Sequence, residues 1–198
     1  MDSKIKGLIF DCDGTLADSM PLHFIAWQKI AQKYGFQFPK DKFYSMGGVP
    51  SHQIVEILAH EQGLVLHAET ISAEKEKLYL QQLPQILPIE PVVAIARANR
   101  GKIPLAVATG GNHFIMQKVL GHLGMLDWFQ AIVTSEDVVH GKPAPDVFLE
   151  AARRVGVPPE SCRAYEDTDL GLQAIRSAGM EPVDVRIMLG QRVVQHGS

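Results

Sequence analysis

The chain is expected to be an α/β protein: a Rossmann-like, mostly parallel sheet with an all-helical insert after its first strand. Three observations predict this. Short apolar runs alternate with helical stretches through the C-terminal half. Glycines stand just past the last apolar position of those stretches. The segment from about 18 to 83 carries helical spacing alone.

Lys4 to Phe10 (KIKGLIF) is a β-prone run that stops at Asp11, so it reads as a buried strand followed by a polar loop. Leu105–Ala108, Ala131–Thr134, Arg163–Tyr165 and Pro182–Val185 are the further strand candidates. Between them, Val92, Val93, Ile95 and Ala96 form a helical face ended by Gly101. Ile115, Val119, Leu120 and Leu123 form another before Gly124, and Val147, Phe148, Ala151, Ala152 and Val155 a third before Gly156. Leu172, Ile175 and Ala178 lead to Gly179. Such βαβ units are right-handed and place the ligand crevice at the carboxyl ends of the strands.

The insert shows a stripe of Leu22, Ile25, Ala26 and Ile30, a second of Ile54, Ile57 and Leu58, and a third helix around Ser72–Gln82. Leaving the first strand at its carboxyl end, it is placed to act as a lid, with Pro84 and Pro88 suiting a linker at its exit. The expected division is a core of 1–17 and 84–198 and a helical cap of 18–83.

The 198 residues are 46% hydrophobic and 21% charged, which excludes disorder and allows one domain with an insert. A net charge of −3, with no run of basic residues longer than two, argues against nucleic acid as a partner. No apolar stretch is long enough to span a bilayer, and Met1–Lys6 lacks the pattern of a secretory leader. The two cysteines, Cys12 and Cys162, do not make a disulfide framework, so a cytoplasmic location is expected.

Each strand end carries polar residues. Asp11-Cys12-Asp13-Gly14-Thr15 follows the first strand, Thr109-Gly110-Gly111 the second, Gly141-Lys142-Pro143 the loop beyond the third, and Glu166-Asp167 the fourth. Four carboxylates, a hydroxyl and a lysine therefore converge. Two like charges 4 Å apart repel by about 4 kcal/mol at an effective dielectric of 20, and a divalent cation removes that cost. Hard oxygen ligands suit Mg²⁺. A lysine beside such an ion makes a pocket for phosphate, to which Thr109 and the amide of Gly110 can donate hydrogen bonds.

DCDGT, VATGG, GKPAPD and YEDTDLG, in this order, resemble the four motifs of the haloacid dehalogenase superfamily of phosphotransferases. The helical insert resembles the cap of its β-phosphoglucomutase-like subgroup, and the likeness runs from about Lys4 to Val185. The resemblance implies that Asp11 is the nucleophile that becomes an aspartyl phosphate, and that Asp13 is the general acid and then the general base. It implies Mg²⁺ held by Asp11, the Asp13 carbonyl and Asp167, with Glu166 supporting the ion. It gives Thr109 and Lys142 the transferring phosphoryl group. Asp13 also favours phosphate esters over halides, since a departing halide needs no proton.

His23-Phe24-Ile25-Ala26-Trp27 resembles the mutase cap, where the matching histidine orients the general acid; by spacing alone His23 reads equally as a buried, hydrogen-bonded histidine. Lys75 matches a cap lysine that reaches substrate, while its run of charges, Glu74 to Lys77, reads as a solvated face. The cap loop Met46–His52 lacks the arginine with which the mutase holds a second phosphate. That loop and the ending Val183–Arg186 look more like bacterial phosphatases acting on fructose 1-phosphate and 6-phosphogluconate. The expectation is a monomeric Mg²⁺-dependent phosphatase of small sugar phosphates. The alternatives are β-phosphoglucomutase and a non-catalytic phospho-acceptor module. Asp169 departs from the family pattern and either starts a helix or adds to the acidic rim; His113 and His140 stand near the motif loops.

Overall fold

The computed structural model describes residues 4–190. The expectation for Met1–Ser3 and the ends of the expected core, 1–3 and 191–198, lie outside them. Five parallel strands, β1 (Gly7–Phe10), β2 (Leu105–Ala108), β3 (Ala131–Val133), β4 (Cys162–Glu166) and β5 (Glu181–Asp184), lie in the order β3-β2-β1-β4-β5. The first strand is thus central. Phe10 pairs with Val107 on one side and Tyr165 on the other, so the residues after β1, β2 and β4 emerge side by side.

Period-2 alternation decides which layer each strand residue joins. Leu8, Phe10, Leu105 and Val107 pack with α5 (Glu90–Asn99) and α6 (His113–His122). Ile9, Ala106, Ala108 and Ala164 pack with α7 (Asp146–Val155) and α8 (Asp169–Ser177) on the opposite face. Both faces are buried, which is why the strands read as continuous apolar runs. The glycines 101, 124, 156 and 179 all take left-handed φ at the helix ends, as expected.

The insert holds α1 (Met20–Tyr34), α2 (Lys40–Ser45), α3 (Ser51–Gln62) and α4 (Ala68–Leu80). Trp27, Ile30, Phe38, Phe43, Val55 and Leu58 belong to an apolar cluster of the insert's own. The chain enters and leaves the insert through adjacent segments. The Asp18 amide donates to the Leu87 carbonyl and the Ile89 amide to the Leu16 carbonyl, each at 2.9 Å, about an antiparallel bridge between Ala17 and Pro88.

Several expectations are corrected. β1 starts at Gly7 rather than Lys4, and β3 ends at Val133 because Thr134 caps the 3₁₀ turn Ser135–Asp137. The third expected cap helix begins at Ala68, and α2 was not expected; six residues that bury only Phe43 carry no period. Ile25 and Ile57 are 43% and 38% exposed, and the faces they were assigned to turn instead on Trp27 and Val55. A short helix α9 (Val185–Met188) begins where the last strand was expected to end.

Candidate active site

Asp11 and Asp13 alternate around a sharp turn after β1, so their side chains meet different partners. Asp11 is buried, its amide bound to the Tyr165 carbonyl at 3.0 Å. Its Oδ1 accepts from Lys142 Nζ at 2.6 Å, and the same ammonium donates to Glu166 Oε2 at 2.6 Å. The second Glu166 oxygen accepts from the Asp167 and Thr168 amides, both at 3.0 Å, and from the Thr168 hydroxyl at 2.9 Å. Glu166 is thereby fixed at the root of α8, between the lysine and the helix N-terminus. Asp167 Oδ1 accepts from the Thr15 hydroxyl at 3.0 Å.

Oxygens of Asp11, Glu166 and Asp167 lie within 4.8 Å of one another. Burial and the Glu166 charge push the Asp11 carboxyl up to about 8, against the opposing pull of Lys142. Burial, Glu166 and Asp11 likewise raise Asp167. With all three ionised, the carboxylates would exceed the one ammonium by two negative charges in a desolvated pocket, which is why Asp11 and Asp167 hold their protons so strongly. This all-oxygen donor set with its charge deficit fits a divalent cation. Lys142 is raised above its ordinary value: burial opposes this, and the Asp11 and Glu166 charges outweigh it.

Asp13 faces the insert. The Ser19 hydroxyl donates to its Oδ1 at 2.5 Å, and His23 Nε2 lies 3.2 Å from the same oxygen, leaving Oδ2 clear. His23 Nδ1 is 2.8 Å from Lys75 Nζ. An ammonium has only hydrogens to give, so Nδ1 accepts and Nε2 carries the hydrogen directed at Asp13. Burial tends to raise Asp13, but the His23 and Ser19 contacts and the Lys75 charge bring it down to about 2. The two aspartates thus sit in environments that drive them apart.

A cavity of about 510 Å³ separates the strand ends from the insert and is lined by Asp11, Asp13, His23, Thr109, Lys75 and Glu76 among others. Thr109 is buried at its wall and Gly110 meets it from the end of β2. Glycines make room for this packing. Gly14, at φ +87°, leaves for the Asp167 carboxylate the space that a Cβ would occupy.

Asp11, Asp13, Thr109, Gly110, Lys142, Glu166 and Asp167 are therefore brought together. His23 and Lys75 join them through Asp13. The solvated reading of Lys75 is wrong, since it is 3% exposed and lies over the Trp27 and Tyr79 rings. Lys142 and His23 hold carboxylates here, Lys142 those of Asp11 and Glu166 and His23 that of Asp13. Asp169 starts α8 and pairs with Arg186 at 2.7 Å. His113 pairs with Asp137 at 2.8 Å, and neither it nor His140 lines the cavity. Cys12 is buried, and burial with the Asp13 and Asp11 charges raises its thiol, which suits a core residue. Sequence reasoning passed over Ser19, Thr15 and Thr168. Thr15 stood inside the first motif, whereas Ser19 gave only the signal of a polar residue before an apolar helix.

No described helix is long and apolar enough to cross a membrane. A family model described as haloacid dehalogenase-like hydrolase matches residues 5–179. A fructose-1-phosphate phosphatase of Escherichia coli (strain K12) is 37% identical over 188 residues, covering 95% of this chain and 100% of that protein. A β-phosphoglucomutase of Bacillus subtilis (strain 168) is 32% identical over 206 residues, covering 96% and 88%. Among solved structures, a hydrolase from Pseudomonas syringae superposes with a TM-score of 0.82 at 26% identity, covering 90% of this chain and 84% of that one.

Proposed function

The chain belongs to the haloacid dehalogenase-like hydrolases, in their β-phosphoglucomutase-like subgroup, and we propose that it is a Mg²⁺-dependent phosphatase of small sugar phosphate monoesters. The observation that carries this reading is the meeting of Asp11, Asp13 and Thr109 at one cavity beneath a helical insert, with the Lys142 ammonium bonded to Asp11. We read 18–83 as a cap that closes over the substrate.

Lys142 occupies Asp11 Oδ1, which leaves the other carboxylate oxygen to attack phosphorus. The P–O bond to the sugar breaks as the Asp11–phosphoryl bond forms, and Asp13 gives its proton to the departing oxygen. A phosphate dianion beside Asp13 raises that carboxyl from its low value, which lets it carry the proton. In the second half, Asp13 takes a proton from water and the resulting hydroxide attacks phosphorus. The Asp11–phosphoryl bond breaks, freeing inorganic phosphate. Thr109, the Gly110 amide and Lys142 stabilise the equatorial oxygens in both halves.

Asp11, the Asp13 backbone carbonyl and Asp167 would hold the cation, with Glu166 steadying the site. Bound there, Mg²⁺ supplies charge that keeps Asp11 ionised and neutralises the phosphoryl oxygens.

Phosphate release from sugar phosphates tests the reading. Wild type should release phosphate with Mg²⁺ and lose the activity in EDTA, and Asp11→Asn should be inert. Equal release by wild type and Asp11→Asn would overturn it. Conversion of β-glucose 1-phosphate to glucose 6-phosphate faster than phosphate release would favour the mutase instead.

A further inference from the structure

We infer that Glu76 is a specificity-determining residue: by neutralising Lys75 in the cavity wall, it restricts the enzyme to phosphate esters whose non-reacting end is an uncharged polyol. The inference rests on the phosphatase reading above and deepens it. Lys75 is the one lysine or arginine that lines the cavity among the described residues. Its ammonium would be the natural partner of a second phosphate or a carboxylate on the substrate. It is already engaged. Glu76 Oε1 lies 3.1 Å from Lys75 Nζ, His23 Nδ1 lies 2.8 Å from it, and the Trp27 and Tyr79 rings lie under it.

Glu76 is built to stay ionised in this role. Burial alone would raise its carboxyl, but the Lys75 charge and the Ser51 hydroxyl hold it below its usual value. Ser51, at the start of α3, donates to Oε1 at 2.6 Å, so the carboxylate is tied to the cap loop as well as to α4. The opposite oxygen, Oε2, is buried with no donor. A carboxylate short of donors in a desolvated wall repels a second anion more strongly than a solvated one does. Two more acids, Glu69 and Glu136, stand exposed on the lining, and His52 is its one other basic side chain away from the aspartates. Away from the aspartates the lining is therefore acidic on balance, while Ser51, Ser72 and the carboxylates offer partners to hydroxyl groups.

The test compares kcat/KM for fructose 1-phosphate with that for 6-phosphogluconate and fructose 1,6-bisphosphate, in wild type, Glu76→Gln and the double variant Lys75→Met/Glu76→Gln. A ratio of two substrates on one preparation is indifferent to the fraction folded and to a common loss of chemistry. Wild type should favour fructose 1-phosphate. Glu76→Gln, which frees the Lys75 charge, should raise the anionic-to-neutral ratio by about tenfold or more. The double variant should return it to within about threefold of wild type. An unchanged ratio in Glu76→Gln, a gain that survives removal of Lys75, or a wild type that prefers the doubly anionic esters would each overturn the inference while leaving the phosphatase reading intact. Absence of phosphate release from every ester by wild type would overturn the reading itself, and the inference with it.

Discussion

Gly110, at the carboxyl end of β2, packs its α-carbon against the carbonyl oxygen of Gly48 in the loop between α2 and α3, with no room between them for a side chain. One residue follows a strand of the sheet and the other belongs to the insert, so the contact sets how near the insert comes to the strand ends. Gly110 has no left-handed φ, and alanine there meets no backbone strain of its own.

Gly110→Ala should therefore push the Gly48 loop, and the insert with it, away from the strand end. A small misplacement of a closing element is enough to lower kcat/KM by about 100-fold. The melting temperature should fall as well, because the atom displaced belongs to backbone and not to a flexible side chain. Gly121→Ala is the control. It lies in α6 with open space around it, and should leave kinetics alone while adding about 0.5–1 kcal/mol of stability. Wild-type kcat/KM in Gly110→Ala would show that the close approach has no part in turnover.

Lys142→Met should be costly in a different way. The ammonium is buried between Asp11 and Glu166 at 2.6 Å from each, and its loss leaves buried carboxylates with no counter-charge. Removing one partner of a buried pair costs about 3–5 kcal/mol. Added Mg²⁺ should restore part of the lost melting temperature, and raise it more in the variant than in wild type. Phosphate release should fall by at least about 100-fold. A variant that melts with wild type in EDTA would contradict the charge balance assigned to these side chains.

The sheet and its polar ends were legible because its central strands, β1, β2 and β4, are buried on both faces and each core helix stops at a glycine. Both signals are local. The insert was harder. Ile25 and Ile57 fit an apolar period yet face solvent, since the helices there are short and share a small core. Lys75 shows the opposite failure. Its charged neighbours in sequence suggested water, but neighbours along a helix point about 100° apart. The informative partners are Ile71 and Tyr79, four residues away on either side and both buried, and that spacing was available in the sequence. Ser19 and Glu76 had no such signal. Their roles depend on Asp13 and Lys75 being brought to them by the tertiary fold.

Asp137 gives the pH dependence of stability a specific origin outside the aspartates of the cavity. It closes the turn after β3: Oδ2 accepts from the Thr134 amide at 2.9 Å, and Oδ1 from Arg154 Nη2 at 2.5 Å. Burial pulls its carboxyl up, but Arg154, the Thr134 amide and hydroxyl and His113 bring it down to about 2, from an ordinary 3.8. The folded protein thus keeps this charge to lower pH than the unfolded chain does. Its stabilisation is complete above about pH 4 and fades as the pH drops toward 2. Asp137→Asn should lower the melting temperature by about 2–4 °C at pH 7, for a loss of about 1 kcal/mol. The gap between the two proteins should narrow steadily below pH 4 in a melting series. A gap that persists undiminished near pH 2 would mean that shape, and not charge, makes Asp137 matter.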